Sequence, residues 1–327
     1  MIITRTPFRI SFAGGGSDLE TFYSGQPGVV ISTAINKYMY LTVKERFGNT
    51  FRVSYSKTEI RDSIDQIEHR AVRECLRTLG IRKGLEITSI GDLPAQSGMG
   101  SSSSFTVGLL YALHSLEGHV VSPERLAREA CHVEIDLLKE PIGKQDQYIA
   151  AYGGLQMMQF FPDGRVSVDP VVCRPEVKRE LNRRLMLFYT GATRAAGEVL
   201  SRQGARAKEN RGALERLCEI ARALRDVLTT GNDLNEFGRL LDAAWQCKKT
   251  LAETISNEVI DGYYQRALAA GALGGKLLGA GSGGFLLLFC EPHCQERVRT
   301  ALSDLENVPF YFEPGGAKVI YVGESQW

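Results

Sequence analysis

The sequence predicts a mixed helix-and-sheet protein in two domains, on three observations. The chain has 327 residues, 43% of them hydrophobic, which is enough for a large core and, from length alone, two domains of ordinary size. In the first half, runs rich in β-branched and aromatic residues alternate with runs of helical period. Near residues 180–195 the composition changes to long, charged helical sequence, which puts a domain boundary there and divides the chain into 1–190 and 191–327.

Composition excludes several classes of partner. With 39 basic against 38 acidic residues the formal charge is +1, so nothing draws the whole protein to nucleic acid or to an anionic membrane. No apolar run approaches the ~20 residues that span a bilayer, and the first residues run straight into Thr4-Arg5-Thr6-Pro7 without a signal-peptide pattern. Cytoplasmic residence is expected. The seven cysteines are scattered, without a Cys-x-x-Cys pair, which fits reduced structural thiols better than disulfides or zinc.

Taken in order, Ile2 to Phe12 alternates as a strand and delivers Gly14-Gly15-Gly16-Ser17-Asp18. Asp18 either accepts hydrogen bonds from substrate hydroxyls or caps a helix over Leu19 to Tyr23. Val29 to Val43 and Phe51 to Tyr55 read as strands. Asp65 to Leu79 reads as a helix stopped by Gly80, and Gly84 to Ile90 as a strand. Next comes Asp92-Leu-Pro94-Ala-Gln-Ser97-Gly98-Met99-Gly100-Ser101-Ser102-Ser103-Ser104-Phe105. Val107, Leu110, Tyr111, Leu113 and His114 continue it with helical spacing. Strand, glycine loop, helix makes a phosphate cradle, because the first helical turn offers unpaired N–H groups and a partial positive charge. The alternative is a Ser/Gly linker ahead of a helix. It is not a Walker loop, since the lysine after the second glycine is missing.

Ser122-Pro123-Glu124 opens a helix with Leu126, Ala130, Val133 and Leu137 inward and Glu134 late on it. In Pro141 to Tyr148, Asp146 stands between Gln145 and Gln147, either as part of a site or as a cap. Leu155 to Phe161 and Arg184 to Tyr189 read as strands, the latter ending at Thr190-Gly191-Ala192-Thr193-Arg194. Helices follow to Gly231, from Asp233 to Thr254 and from Asn257 to Ala270. Gly274 to Gly284 carries six glycines in eleven positions and precedes a strand, Phe285 to Phe289. A helix near Gln295 to Leu305 and strands at Pro309 to Glu313 and Ala317 to Val322 complete the chain.

Three glycine-rich segments in this order resemble the motifs of the GHMP kinases, the superfamily of galactokinase, homoserine kinase and mevalonate kinase. They are Thr6-Pro7-Phe8-Arg9 with Gly14 to Asp18, Leu93-Pro94 with Ser97 to Ser104, and Lys276 to Gly284. Within the superfamily, Gly-Gly-Gly-Ser-Asp and Thr190 to Arg194 resemble the D-glycero-D-manno-heptose 7-phosphate kinases. The resemblance implies an α+β fold, with an N-terminal domain like the second domain of ribosomal protein S5, a ferredoxin-like C-terminal domain, and the site in the cleft. It also implies ATP and Mg²⁺, a sugar phosphate as small-molecule partner, and a monomer or a homodimer.

Residue roles follow from the same resemblance. Pro94, Ser97, Gly98, Met99, Gly100, Ser101, Ser102 and Ser103 would bind the nucleotide, and Ser102 and Glu134 the Mg²⁺. Asp146 would accept the proton of the attacking hydroxyl. Arg9 would hold Asp146 ionised and offset charge on the phosphoryl group in transfer. Gly15, Gly16, Ser17, Asp18, Thr193, Gly281 and Ser282 would meet the sugar. For its phosphate a nearly neutral protein must supply local cations, and Lys144, two residues before Asp146, and Arg194, which closes the Thr190 to Arg194 turn, are the candidates, or else solvated surface charges.

Overall fold

The computed structural model describes residues 1–191, 209–281 and 283–323. Among them, a sheet of eight strands and a sheet of four build the two lobes.

The first lobe starts with two long antiparallel strands, β1 (Ile2–Ala13) and β2 (Gly28–Glu45), with a single helical turn, α1 (Glu20–Tyr23), between them. Then come β3 (Phe51–Ser54), β4 (Thr58–Arg61), α2 (Arg70–Thr78) and β5 (Leu85–Gly91). The expected helix over 65–79 starts only at Arg70, because the Glu59 carboxylate accepts the backbone N–H groups of Glu68 (2.8 Å) and His69 (3.1 Å) and holds them out of the helical ladder. The helices α3 (Ser101–Leu116), α4 (Pro123–Cys131) and α5 (Gln145–Tyr152) follow, then β6 (Leu155–Phe160) and β7 (Val166–Pro170). The sheet order is β12-β1-β2-β5-β3-β4, where β12 (Lys318–Val322) comes from the end of the chain, with β6 and β7 extending from β2.

Two local irregularities aim residues at the future site. The β1–β2 register shifts between Pro7 and Phe8, and a ladder irregularity re-aims side chains. Before the shift Thr4 Oγ1 donates to the Gly108 carbonyl of α3 (3.0 Å). After it Phe8, Ile10 and Phe12 join the core shared with the second lobe, while Arg9 and Ser11 line the interlobe cleft. The second irregularity is a π-type turn over His132–Leu137, where Leu138 N–H donates to the Val133 carbonyl (3.0 Å). The extra residue in this turn rotates the helix face. Leu137, expected inward, is 42% exposed, Leu138 takes its place, and Glu134 is buried.

The second lobe contains α6 (Pro175–Arg184), β8 (Leu185–Tyr189), α7 (Arg211–Thr230), α8 (Asn235–Lys249), α9 (Glu258–Ala269), β9 (Ala272–Leu277), β10 (Phe285–Cys290), α10 (Gln295–Ala301) and β11 (Glu306–Asn307). Its sheet order is β11-β8-β10-β9. The first part of the glycine-rich stretch is therefore strand β9, and among the described residues 278–281, 283 and 284 connect it to β10. Residues 309–313 form no strand, only a bridge between Phe312 and Ile35. The last strand, β12 (Lys318–Val322), returns to pair with β1 in the first sheet. The sheets thus do not separate at residue 190: β8 precedes it yet pairs in the second sheet, and β12 follows it yet pairs in the first. Phe12 and Phe237 meet edge to face at 5.2 Å across the two lobes, in one continuous core that fixes the walls of the cleft.

Candidate active site

A cleft of about 570 Å³ lies between the lobes, lined from the first by Arg9, Gly15, Gly16, Asp18, residues 98 and 100–103, and Asp146, and from the second by Lys248, Lys276 and Gly281. Its floor is the loop before α3. Gly100, the residue capping α3, has φ of 75°, a left-handed conformation suited to glycine. A Cβ there would sit 3.2 Å from Arg9 Cγ and 3.4 Å from Asp146 Oδ2. Gly98 lies against the loop of the second lobe, where a Cβ on Gly279 would come within 2.4 Å of Gly98 Cα. Two glycine motifs far apart in sequence are thus packed backbone to backbone.

Asp146 is in the first turn of α5, but it does not cap the helix. Arg9 grips it with two parallel bonds, Nε to Oδ1 (2.7 Å) and Nη2 to Oδ2 (2.8 Å), while Nη1 donates to the Gly98 carbonyl. Such bidentate, charge-assisted pairs fix orientation as well as charge. The carboxylate is 23% exposed, beside the loop. Asp18 does not cap α1: its oxygens accept from the N–H groups of Gly16 (2.9 Å) and of Gln145, the first residue of α5 (3.2 Å). Burial pushes its carboxyl above the ordinary value and the Asp146 charge adds to this, against the two N–H donors.

Glu134 is buried behind the serines. Oε1 accepts from Ser102 (2.7 Å) and Thr106 (3.1 Å), and Oε2 from Ser103 (2.7 Å) and Gln147 (2.6 Å). Burial raises its pKa, opposed by these four donors. Ser102 is the exposed member of the serine run, whereas Ser103 and Ser104 are buried and Ser104 donates to the Pro7 carbonyl. One hydroxyl and one carboxylate beside the glycine-serine loop is a donor set that suits a hard divalent cation, with further oxygens completing its shell.

Several expected contacts fall elsewhere. Ser17 is wholly buried and its hydroxyl exchanges bonds with the backbone of Val29, so it meets no substrate. Ser97 is buried and donates to the Pro94 carbonyl, which shapes the loop, and neither residue faces the cleft. Met99 is a core residue. Lys144 turns away, its ammonium on the Gly164 carbonyl (3.1 Å) and over the Tyr23 ring. Thr193, Arg194 and Ser282 lie outside the described residues.

The cleft also holds two lysines, Lys276, which opens the third glycine-rich segment, and Lys248, which lies in no motif. Lys276 ends its stem on the carbonyls of Ser11 (2.8 Å) and Phe12 (3.0 Å), clamping β9 to β1. Lys248 reaches the carbonyl of Gly279. Its sequence signal is position: Phe237, Leu241, Ala244 and Trp245 form the inward stripe of α8, and Lys248 falls on that stripe where an apolar residue belongs.

Residues 66–154 match the family described as GHMP kinases N terminal domain, and residues 213–307 the one described as GHMP kinases C terminal. The D-glycero-alpha-D-manno-heptose 7-phosphate kinase of Campylobacter jejuni subsp. jejuni serotype O:2 is 28% identical over 308 residues, covering 89% of this chain and 90% of that protein. The bifunctional fucokinase/GDP-fucose pyrophosphorylase of Arabidopsis thaliana is 27% identical over 317 residues, which are 87% of this chain but 29% of that longer protein. Among solved structures, a D-glycero-D-manno-heptose 1-phosphate kinase from Bacteriodes thetaiotaomicron superposes with a TM-score of 0.82 at 25% identity, over 99% of this chain and all of that one. A mevalonate kinase shares the fold, with a TM-score of 0.74 at 17% identity over 95% and 99% of the two chains. With both halves matched in order and a glycine-serine loop, a guanidinium and a carboxylate meeting in the cleft between them, the chain belongs to the GHMP kinases.

Proposed function

We propose that this protein transfers the terminal phosphoryl group of ATP to the anomeric hydroxyl of D-glycero-D-manno-heptose 7-phosphate, giving the 1,7-bisphosphate. The observation that carries the reading is the Arg9–Asp146 pair held against the Gly98–Ser103 loop, together with a heptose 7-phosphate kinase relative aligned over nine-tenths of its length. Phosphoryl transfer needs placement and charge more than covalent chemistry. The acceptor oxygen forms its bond to the γ-phosphorus as the bond to the ADP oxygen breaks, and the hydroxyl proton passes to Asp146. Gly15 and Gly16 leave space beside Asp18 for a large polyol, and Asp18 orients its hydroxyls. A divalent cation held by Ser102 and Glu134, when bound, supplies neutralising charge to the phosphate oxygens.

ADP release measured with ATP, Mg²⁺ and a panel of heptose 7-phosphate, heptose, fucose, galactose and mevalonate tests this directly. Heptose 7-phosphate is expected to give the highest kcat/KM. Fastest turnover of an unphosphorylated sugar would replace the substrate and leave the kinase chemistry in place. Glu134→Gln and Ser102→Ala are each expected to raise the Mg²⁺ concentration needed for half-maximal activity. An unchanged Mg²⁺ titration in both variants would locate the metal elsewhere.

A further inference from the structure

We propose that Lys248 is a phosphoryl-binding residue of the cleft, donating to the oxygens of a phosphate group carried in by one of the two substrates. This rests on the phosphotransferase reading above and adds a residue from the second lobe that none of the three glycine motifs contains.

The argument is one of unused donors. Four described Lys or Arg side chains line the cleft: Arg9, Arg70, Lys248 and Lys276. Both guanidiniums are already neutralised, Arg9 by Asp146 and Arg70 by Glu140 (2.9 Å). Arg9 has also committed a third donor to the Gly98 carbonyl. Among the described residues neither lysine forms an ion pair. An ammonium has three donors. Lys276 places two on the backbone carbonyls of β1, whereas Lys248 places one, on Gly279. Lys248 is only 7% exposed, so its remaining donors have no bulk water to turn to, and a buried cation without an anion is costly. Burial, with the Arg9 charge nearby, pushes its pKa down to about 8, while Asp18 and Asp146 act the other way. These neighbours place the ammonium beside the carboxylates that face the acceptor. The loop before α3 lacks the lysine that a Walker loop would aim at phosphate. Lys248 brings that missing charge from the opposite wall.

Two molecules bring phosphate here, the nucleotide and the phosphorylated sugar, and calorimetric titration separates them. Native protein, Lys248→Met and Lys248→Arg are titrated with a non-hydrolysable ATP analogue plus Mg²⁺, with heptose 7-phosphate, and with unphosphorylated heptose. Lys248→Met is expected to lose about 10–100-fold in affinity for one phosphorylated ligand, the loss of a charge-assisted bond, with heptose unaffected and much of the loss restored in Lys248→Arg. The ligand affected identifies the source of the phosphate. Because methionine removes a buried charge at similar length, Lys248→Met is expected to melt at or above the native temperature, so misfolding does not mimic the effect. Native affinity for both phosphorylated ligands, or an equal loss for unphosphorylated heptose, would overturn the proposal. If native protein binds the nucleotide analogue but neither sugar, the heptose reading fails and the nucleotide titration alone decides the role of Lys248.

Discussion

Asp146→Asn is expected to lower kcat by about 10²–10⁴-fold, the usual contribution of a positioned general base, with affinity for a non-hydrolysable ATP analogue near native. The side chain keeps its size, but its amide now presents a donor to the Arg9 Nη2 donor that the carboxylate accepted at 2.8 Å, and the guanidinium loses its counter-charge. Arg9 therefore lets go on one side while its bond to the Gly98 carbonyl keeps it in place. Single-turnover kinetics beside equilibrium binding separates the two effects. Near-native turnover would remove Asp146 from the chemistry.

Gly100→Val has the other large effect, the loss of measurable nucleotide binding. The backbone at φ of 75° is one that a β-branched residue reaches only with strain. The new Cβ would stand 3.2 Å from Arg9 Cγ, so it displaces the pair that the loop supports as well as closing the approach of phosphate to the first turn of α3. Fluorescent nucleotide titration of the variant, with circular dichroism to verify folding, is the measurement. Retained affinity would mean that the loop is only a connection between β5 and α3.

The fold was legible wherever periodicity reports burial. The long strands β1 and β2, and the Ser122 cap whose hydroxyl accepts from Arg125 N–H (3.2 Å), follow from local rules. What local rules miss is set by distant partners. The Glu59 carboxylate shortens α2, and the π-type turn exchanges Leu137 for Leu138, neither of which leaves a mark in the hydrophobic pattern of its own segment. In the site, glycine and serine spacing marked the floor, because close backbone approach demands particular residues. Ser17 and Met99 stand inside those motifs for packing instead, since a motif records the shape of a loop as much as its ligand contacts. Lys144 was read from its nearness to Asp146 in sequence, but two residues along the start of a helix point in different directions. Lys248 carries no motif and was visible only as a charge on an apolar stripe.

The course of the last strand also bears on how the two lobes are held together. The chain leaves the first sheet after β7 and comes back at β12, and the returning stretch is fastened on the way by two bonds between Asn36 and Tyr311 and by one from the Glu313 N–H to the Ala34 carbonyl. The lobes are therefore joined along a double spine rather than by one tether. Two neighbouring crossings, with the core they enclose, hold the loop before α3 and Lys248 in register across the cleft.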